Sequence, residues 1–254
     1  MNIFDAIIYQ PLFNALVVLY QWLGDFGLAV VALTVLIRLI LYPLAAESIR
    51  VQKVTALIQP KMKEIQEKYK NEKEKQAMLM MQLWKENKIN PLSSFLFLLL
   101  QLPILWGLYY VFFNGFKDGS LAMLYGFVAN PGTINPLFFG AINLAASFPA
   151  FAVAAGILQF AQVKMMMPKA QAEKKDKSQS EQFAAMMQTQ ALYIFPIFTV
   201  VIFWGLPSAL GLYWITTSVF SIVQQYFILK NGLSKDGYGA SILMSDAGGA
   251  VAHK

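Results

Sequence analysis

No cysteine occurs in these 254 residues, and the single histidine, His253, stands next to the last position. Without thiols there are no disulfides, no thiolate metal sites and no lipid-modified cysteine. Without imidazoles in the body of the chain, histidine catalysis and the common histidine-containing metal sites are excluded. Charge is scarce as well: Asp, Glu, Lys and Arg make up 13% of the chain, about half the share of an ordinary soluble domain. No Lys or Arg precedes Arg38, so the basic n-region of a cleavable signal peptide is missing and none is expected. A glycine-rich phosphate loop is missing too, so no nucleotide is expected to power the protein from within this chain. The expectation is a protein that is not an enzyme, with no catalytic residue, cofactor or metal ion.

Hydrocarbon is what the chain has instead. Apolar residues make up 57%, and several runs approach the roughly 20 residues that cross a bilayer as a helix. An all-α integral membrane protein follows, because lipid offers exposed backbone no hydrogen-bond partner. Five transmembrane helices are expected at about 27–45, 92–113, 144–163, 189–205 and 208–229. Ser147 and Pro149 blur the start of the third, and only Gly205, Leu206, Pro207 and Ser208 separate the last two. Ahead of them, residues 3–23 read as an interfacial amphipathic helix lying on the membrane, started by Pro11. Asp5, Gln10, Asn14 and Gln21 argue there against a sixth span.

Charge placement sets the orientation. Residues 46–90 carry ten Lys/Arg against six Glu, and residues 164–190 carry five Lys against three acids. The first 26 residues carry only two Asp, and residues 114–143 only Lys117 and Asp118. Basic loops stay in the cytoplasm, so the N-terminus is expected outside and the C-terminus inside a plasma or inner membrane. The net charge of +6 thus reflects membrane topology, and no direct DNA binding is expected.

The basic segment at 46–91 is not a featureless loop. Val54, Ile58, Met62, Ile65 and Tyr69 recur at helical spacing, Asn71 can break the helix, and Met80, Leu83 and Trp84 share a second face. This predicts a cytoplasmic helical hairpin, the alternative being a solvated charged loop. Residues 168–182 read as a flexible polar linker, and 230–254 as a short cytoplasmic tail. Methionines cluster at 165–167 and 186–187, suited to variable apolar partners or to ordinary packing. The organisation is then an interfacial segment at 1–26, a core at 27–45 and 92–229, a hairpin at 46–91 and the tail.

Arg38 is the only charged residue inside any expected span, and no Asp or Glu lies in a span to meet it. It sits about 12 Å from the cytoplasmic end at 1.5 Å per residue. A guanidinium at helix centre costs about 2.5–3.5 kcal/mol on insertion scales. Snorkelling to the headgroups is one solution; a hydrophilic groove open to the cytoplasm is the other. Thr34 lies one turn away, Gln101 mid-way along the second span and Gln159 towards the inner end of the third. On the last span Tyr213, Thr217, Ser221 and Gln224 form one stripe, with Trp214, Ser218 and Gln225 beside it. Ile215, Val219, Ile222 and Tyr226 fall on the opposite side. Such groups also serve as helix-packing glue, but a whole stripe facing an intramembrane Arg favours the groove.

Several motifs resemble the YidC/Oxa-type membrane protein insertases. They are Leu57–Tyr69 in the hairpin, Lys88-Ile89-Asn90-Pro91-Leu92, and Leu100-Gln101-Leu102-Pro103-Ile104 with Leu108-Tyr109. Arg38, in Thr34–Arg38 ahead of Tyr42-Pro43-Leu44, is similar to that family's groove arginine. Pro207-Ser208, Gly211–Trp214 and Gln224-Gln225 resemble its last span. The likeness covers about residues 11–230, in order. It implies five helices around a groove closed on the outside. It also implies nascent membrane proteins as substrates, release of apolar segments into membrane lipids, chaperone action, and the Sec translocon and the ribosome as partners. The sequence shows neither the large periplasmic domain of many Gram-negative members nor the lipoprotein cysteine of many Gram-positive ones. Its tail has three Lys against two Asp, a poor ribosome anchor. A small-solute or anion channel, with Arg38 selecting anions, and a membrane scaffold are the rival readings.

Overall fold

The computed structural model describes residues 3–90, 92–115, 120–167 and 179–230. Its helices are α1 (Gln10–Leu23, preceded by a π-helical turn at Asp5–Tyr9), α2 (Phe26–Ile40), α3 (Tyr42–Lys68) and α4 (Lys73–Glu86). They continue with α5 (Leu92–Asn114), α6 (Pro149–Met166), α7 (Gln179–Trp204) and α8 (Ser208–Lys230). The described residues fall into two compact units. The first is drawn from Met1–Tyr42, Leu98–Gln162 and Ala191–Ile222, the second from Pro43–Phe97, Val163–Gln190 and Val223–Lys254.

Local chemistry sets the ends. Gly24 takes φ 70 to close α1, and the Asp25 carboxylate caps α2 by accepting the Leu28 N–H at 2.9 Å. The span expected at 27–45 is cut at Leu41, so the hairpin's first helix starts at Tyr42 rather than at 46. Pro43 accounts for this: it has no N–H to donate, and its ring clashes with the carbonyl four residues back. The third span starts later than expected, at Pro149. The stretch before it is held in turns, where Leu144 and Ala146 carbonyls accept the N–H groups of Ala209 and Ser208 at the head of α8. Helix α7 begins at Gln179, inside the expected polar linker, because Gln, Glu, Ala and Met are good helix formers. The rest of that linker, 168–178, and the tail beyond Lys230 lie outside the described residues.

In the first unit, Phe13, Leu16 and Val17 of α1 join Ala29, Val30 and Leu33 of α2, Val111 and Phe112 of α5, and Leu210 and Tyr213 of α8 in one core. Small residues bring backbones close. A Cβ on Gly156 would stand 2.4 Å from Val200 Cγ2 and 3.0 Å from the Pro196 carbonyl, the close approach typical of membrane helices. Outward faces are apolar: Leu36, Leu102, Ile157, Ile197, Val201 and Val219 are all exposed. That pattern suits a solvent of hydrocarbon. Among the described residues, three helices are long and apolar enough to cross a membrane, namely Asp5–Leu23, Pro149–Met166 and Ser208–Lys230. A fourth follows if Phe26–Ile40 and Tyr42–Lys68 count as one span, while Leu99–Asn114 and Leu192–Trp204 are apolar but shorter. The N-terminal helix expected on the surface is thus long enough to span, and its polar residues do not forbid it. Gln10 and Asn14 donate to the Met123 carbonyl at 3.2 and 3.0 Å, and Asn14 Oδ1 accepts the Tyr125 N–H at 2.7 Å.

In the second unit the hairpin has its own core. Val51, Val54 and Ile58 of α3 are buried against Leu83 of α4 and Ile89, with Met62, Ile65 and Trp84 around them. The helical stripe read from sequence is this face. Asn87, fully buried, caps the end of α4 by donating to the Leu83 carbonyl at 2.7 Å.

Candidate functional site: a buried polar cluster on α8

Helix α8 carries its polar residues inward. Tyr213 and Ser218 are 1% exposed, Ser221 6% and Thr217 8%, whereas Val219 is 45% exposed. In water such a helix would sit the other way round. The polar stripe therefore faces the inside of the protein and the apolar stripe faces outward, as a surrounding of hydrocarbon requires.

Tyr213 is the hub. Its hydroxyl accepts from Gln101 Nε2 of α5, and Arg38 of α2, itself only 6% exposed, lies within electrostatic reach of the same phenol. At the next residue, Trp214 Nε1 donates to Gln159 Oε1 of α6 at 3.2 Å, and its ring packs on Phe203 of α7. Residues from all five of these helices thus meet around two neighbouring aromatic side chains. Gln101 Oε1 is buried with no hydrogen-bond partner among the described residues, so this cluster has an acceptor to spare.

The sequence-selected residues divide in three. Arg38, Gln101, Gln159, Tyr213 and Trp214 are brought together, and Thr217, Ser218 and Ser221 continue the same buried face. Thr34 is buried, but its hydroxyl returns to the Val30 carbonyl of its own helix at 2.6 Å. That is backbone bonding inside a helix rather than a contact offered to a ligand. Gln224 is 3% exposed and belongs to the second unit. The arrangement is more closed than an open groove wall: Gln101 bonds Tyr213 and Trp214 bonds Gln159, while Gln101 Oε1 and Thr217 Oγ1 stay buried without a partner among the described residues. Asn14, 3% exposed, escaped the sequence reading as a structural residue. Its polarity had counted only against a membrane span, and nothing in the pattern announced the distant loop that it binds.

A buried polar face with an arginine, inside a helical unit with an apolar exterior, is the setting in which known relatives are informative. The family model described as 60Kd inner membrane protein matches residues 18–235. The chain belongs to this family. It is 33% identical to the membrane protein insertase YidC of Fusobacterium nucleatum over 212 residues, 84% of this chain and 90% of that one. It is 32% identical over 215 residues to the insertase YidC of Francisella philomiragia, covering 84% of this chain but 34% of that longer protein. A crystal structure of an active YidC insertase with its first transmembrane domain resolved shares the fold, with a TM-score of 0.57 and 24% identity. The match covers 89% of this chain and 47% of the solved one. The protein is an integral membrane protein of the YidC type, as the resemblance implied. The chain spans about a third of the length of the Francisella relative.

Proposed function

We propose that the protein is a membrane protein insertase and chaperone, and that the Tyr213 cluster is the inner end of its substrate groove. The observation that carries this reading is the inward polar face of α8 beside Arg38, in a membrane protein whose other faces are apolar. A nascent segment entering from the cytoplasm has two needs. Its polar tail must avoid hydrocarbon, and its apolar stretch must reach hydrocarbon. The polar cluster answers the first: the entering tail parts Arg38, Gln101 and Tyr213 and takes over their hydrogen bonds, with Arg38 attracting its acidic residues. The lipid-facing sides of the helices answer the second, because an apolar segment leaving sideways gains about 25 cal/mol per Å² removed from water. No covalent step and no cofactor is involved. The hairpin at 46–91 recruits the substrate, with the Sec translocon and the ribosome as further partners.

The topology proposed with this function has five spans, contributed by α2, α5, α6, α7 and α8, with α1 along the outer surface. The N-terminus is outside and the C-terminus and hairpin are cytoplasmic, following the Lys/Arg asymmetry of the loops. Reconstitution into liposomes with a short-tailed single-span substrate tests the function. Protease protection of the substrate tail is the expected result. Ion conductance without protection would refute it in favour of a channel.

A further inference from the structure

The segment joining α5 to α6 has a composition that water does not explain. From residue 119 to residue 163 there is no Asp, Glu, Lys or Arg, and residues 6–24 hold none either. An ordinary soluble domain has about a quarter of its residues charged. The part of this stretch that lies outside the α-helices, 120–148, opens on a 3-10 turn at Ser120–Met123 and is a charge-free loop rich in Phe, Leu and Ala.

Its backbone is also unusually self-sufficient. Asn130, Asn135 and Asn143 each turn back to accept the N–H two residues ahead, at 2.9, 3.1 and 3.0 Å. The N-terminal helix supplies further partners. Besides the Asn14 and Gln10 bonds to Met123 and Tyr125, Tyr20 Oη accepts the Asn135 N–H at 3.1 Å, and Gln21 donates to the Ala129 carbonyl. A loop in bulk water can leave many such groups to solvent; a loop at the edge of the hydrocarbon, where water thins out, gains from meeting them internally.

A third observation concerns a short hairpin inside the loop, strands Leu137–Phe138 and Ile142–Asn143. Its turn closes through the Ala141 N–H on the Phe138 carbonyl at 3.1 Å, with Phe139 at φ 49 and Gly140 at φ 69. Two successive positive φ values suit Asn-Gly, not a bulky Phe. Yet Phe139 stands there with its ring 71% exposed. Its N–H is held by the Asp25 carboxylate at 2.6 Å, while Phe138 fills the space left by Gly27. Phe127, 84% exposed, stacks on Tyr125 in the same loop, and Trp22, 80% exposed, follows Gln21, which holds the Ala129 carbonyl. A strained backbone held in place to present an aromatic ring is a sign of use.

We infer that this loop and the end of α1 are seated in the headgroup layer of the membrane, with Phe139, Phe127 and Trp22 as the side chains that enter it. Aromatic rings favour that layer because they are apolar bodies with a polarisable edge. The seated leaflet is the outer one, a detail that rests on the topology proposed above; the seating itself does not. The loop then works as a float that fixes how deep α5 and α6 lie.

Spin labels in proteoliposomes test this directly, since the chain has no native cysteine. A label on Ala141→Cys leaves all three aromatic residues in place. It should collide with oxygen in preference to a water-soluble nickel chelate, whereas a label on Lys85→Cys in the hairpin should show the reverse. Adding Phe139→Asn gives the turn its preferred Asn-Gly pair, so the hairpin stays closed, and nickel access at position 141 should rise several-fold. Equal nickel access at 141 and 85 in the parent would overturn the seating. Shielding of 141 from both reagents would also overturn it, by pointing to a protein partner. No change on Phe139→Asn would remove Phe139 from its role. The side of the membrane is read separately, by an impermeant thiol reagent on Asn130→Cys, so a wrong topology and a wrong seating give different results.

Discussion

Replacing Tyr213 with Phe removes one oxygen from a side chain that is 1% exposed. Gln101 Nε2 then loses its acceptor. Its Oε1 already has no partner among the described residues, so the whole amide is left unsatisfied. Leaving a buried donor without a partner costs about 1–3 kcal/mol. Hydrogen bonds between membrane helices couple less strongly than that, about 0.6 kcal/mol on average and up to about 1.7. Tyr213→Phe is accordingly expected to cost about 1–2 kcal/mol. Gln101→Leu removes both amide ends at similar size and is expected to cost less. The double variant should cost less than the sum of the two single ones, because each single change already breaks the one bond between them. A coupling of about 1 kcal/mol is expected from the double-mutant cycle, above the roughly 0.3–0.5 kcal/mol scatter of independent sites. Reversible unfolding in mixed micelles measures it. Strict additivity would refute the idea that the pair is a closed hydrogen bond within the cluster. Insertion assayed below the unfolding range adds the functional part: Tyr213→Phe should lower substrate capture even where all the protein is folded.

Three further outcomes are expected. Arg38→Ala should impair insertion of substrates with acidic translocated tails more than neutral ones, with Arg38→Lys rescuing in part because it keeps the charge and loses the planar fork; equal loss for both tails would remove the electrostatic role. Ile58→Ala, at a fully buried site of the hairpin core, should destabilise the hairpin by about 2–5 kcal/mol, seen as faster amide exchange across α3 and α4, and an unchanged exchange pattern would contradict the packing. Photo-crosslinkers at Tyr213 and Thr217 should capture a stalled nascent chain, while those at Val219 should capture it far less; equal capture would mean that the two faces of α8 do not differ in use.

Much of this protein is written in composition and period. The shortage of charge and the long apolar runs determine a helical membrane protein, because lipid satisfies no backbone group. The four-four-three spacing of Val54, Ile58, Met62 and Ile65 determines the hairpin's inner face, because a helix advances 3.6 residues per turn. The same rule placed Tyr213, Thr217 and Ser221 together, opposite Val219. Other features depend on partners far away in the chain, which no local pattern contains. Thr34 had the right spacing from Arg38, yet its hydroxyl is taken by its own helix. Gln101 and Gln159 were visible as polar residues among apolar ones, but only packing assigned the first to Tyr213 and the second to Trp214. Asn14 looked like an obstacle to burial and is buried, since Met123 and Tyr125, more than a hundred residues on, meet its amide. Phe139 gave no signal at all. Sequence reports what each residue prefers, and at Phe139 the tertiary structure overrules it: the Asp25 carboxylate and the Phe138 ring seated on Gly27 hold a backbone conformation that the residue by itself would avoid.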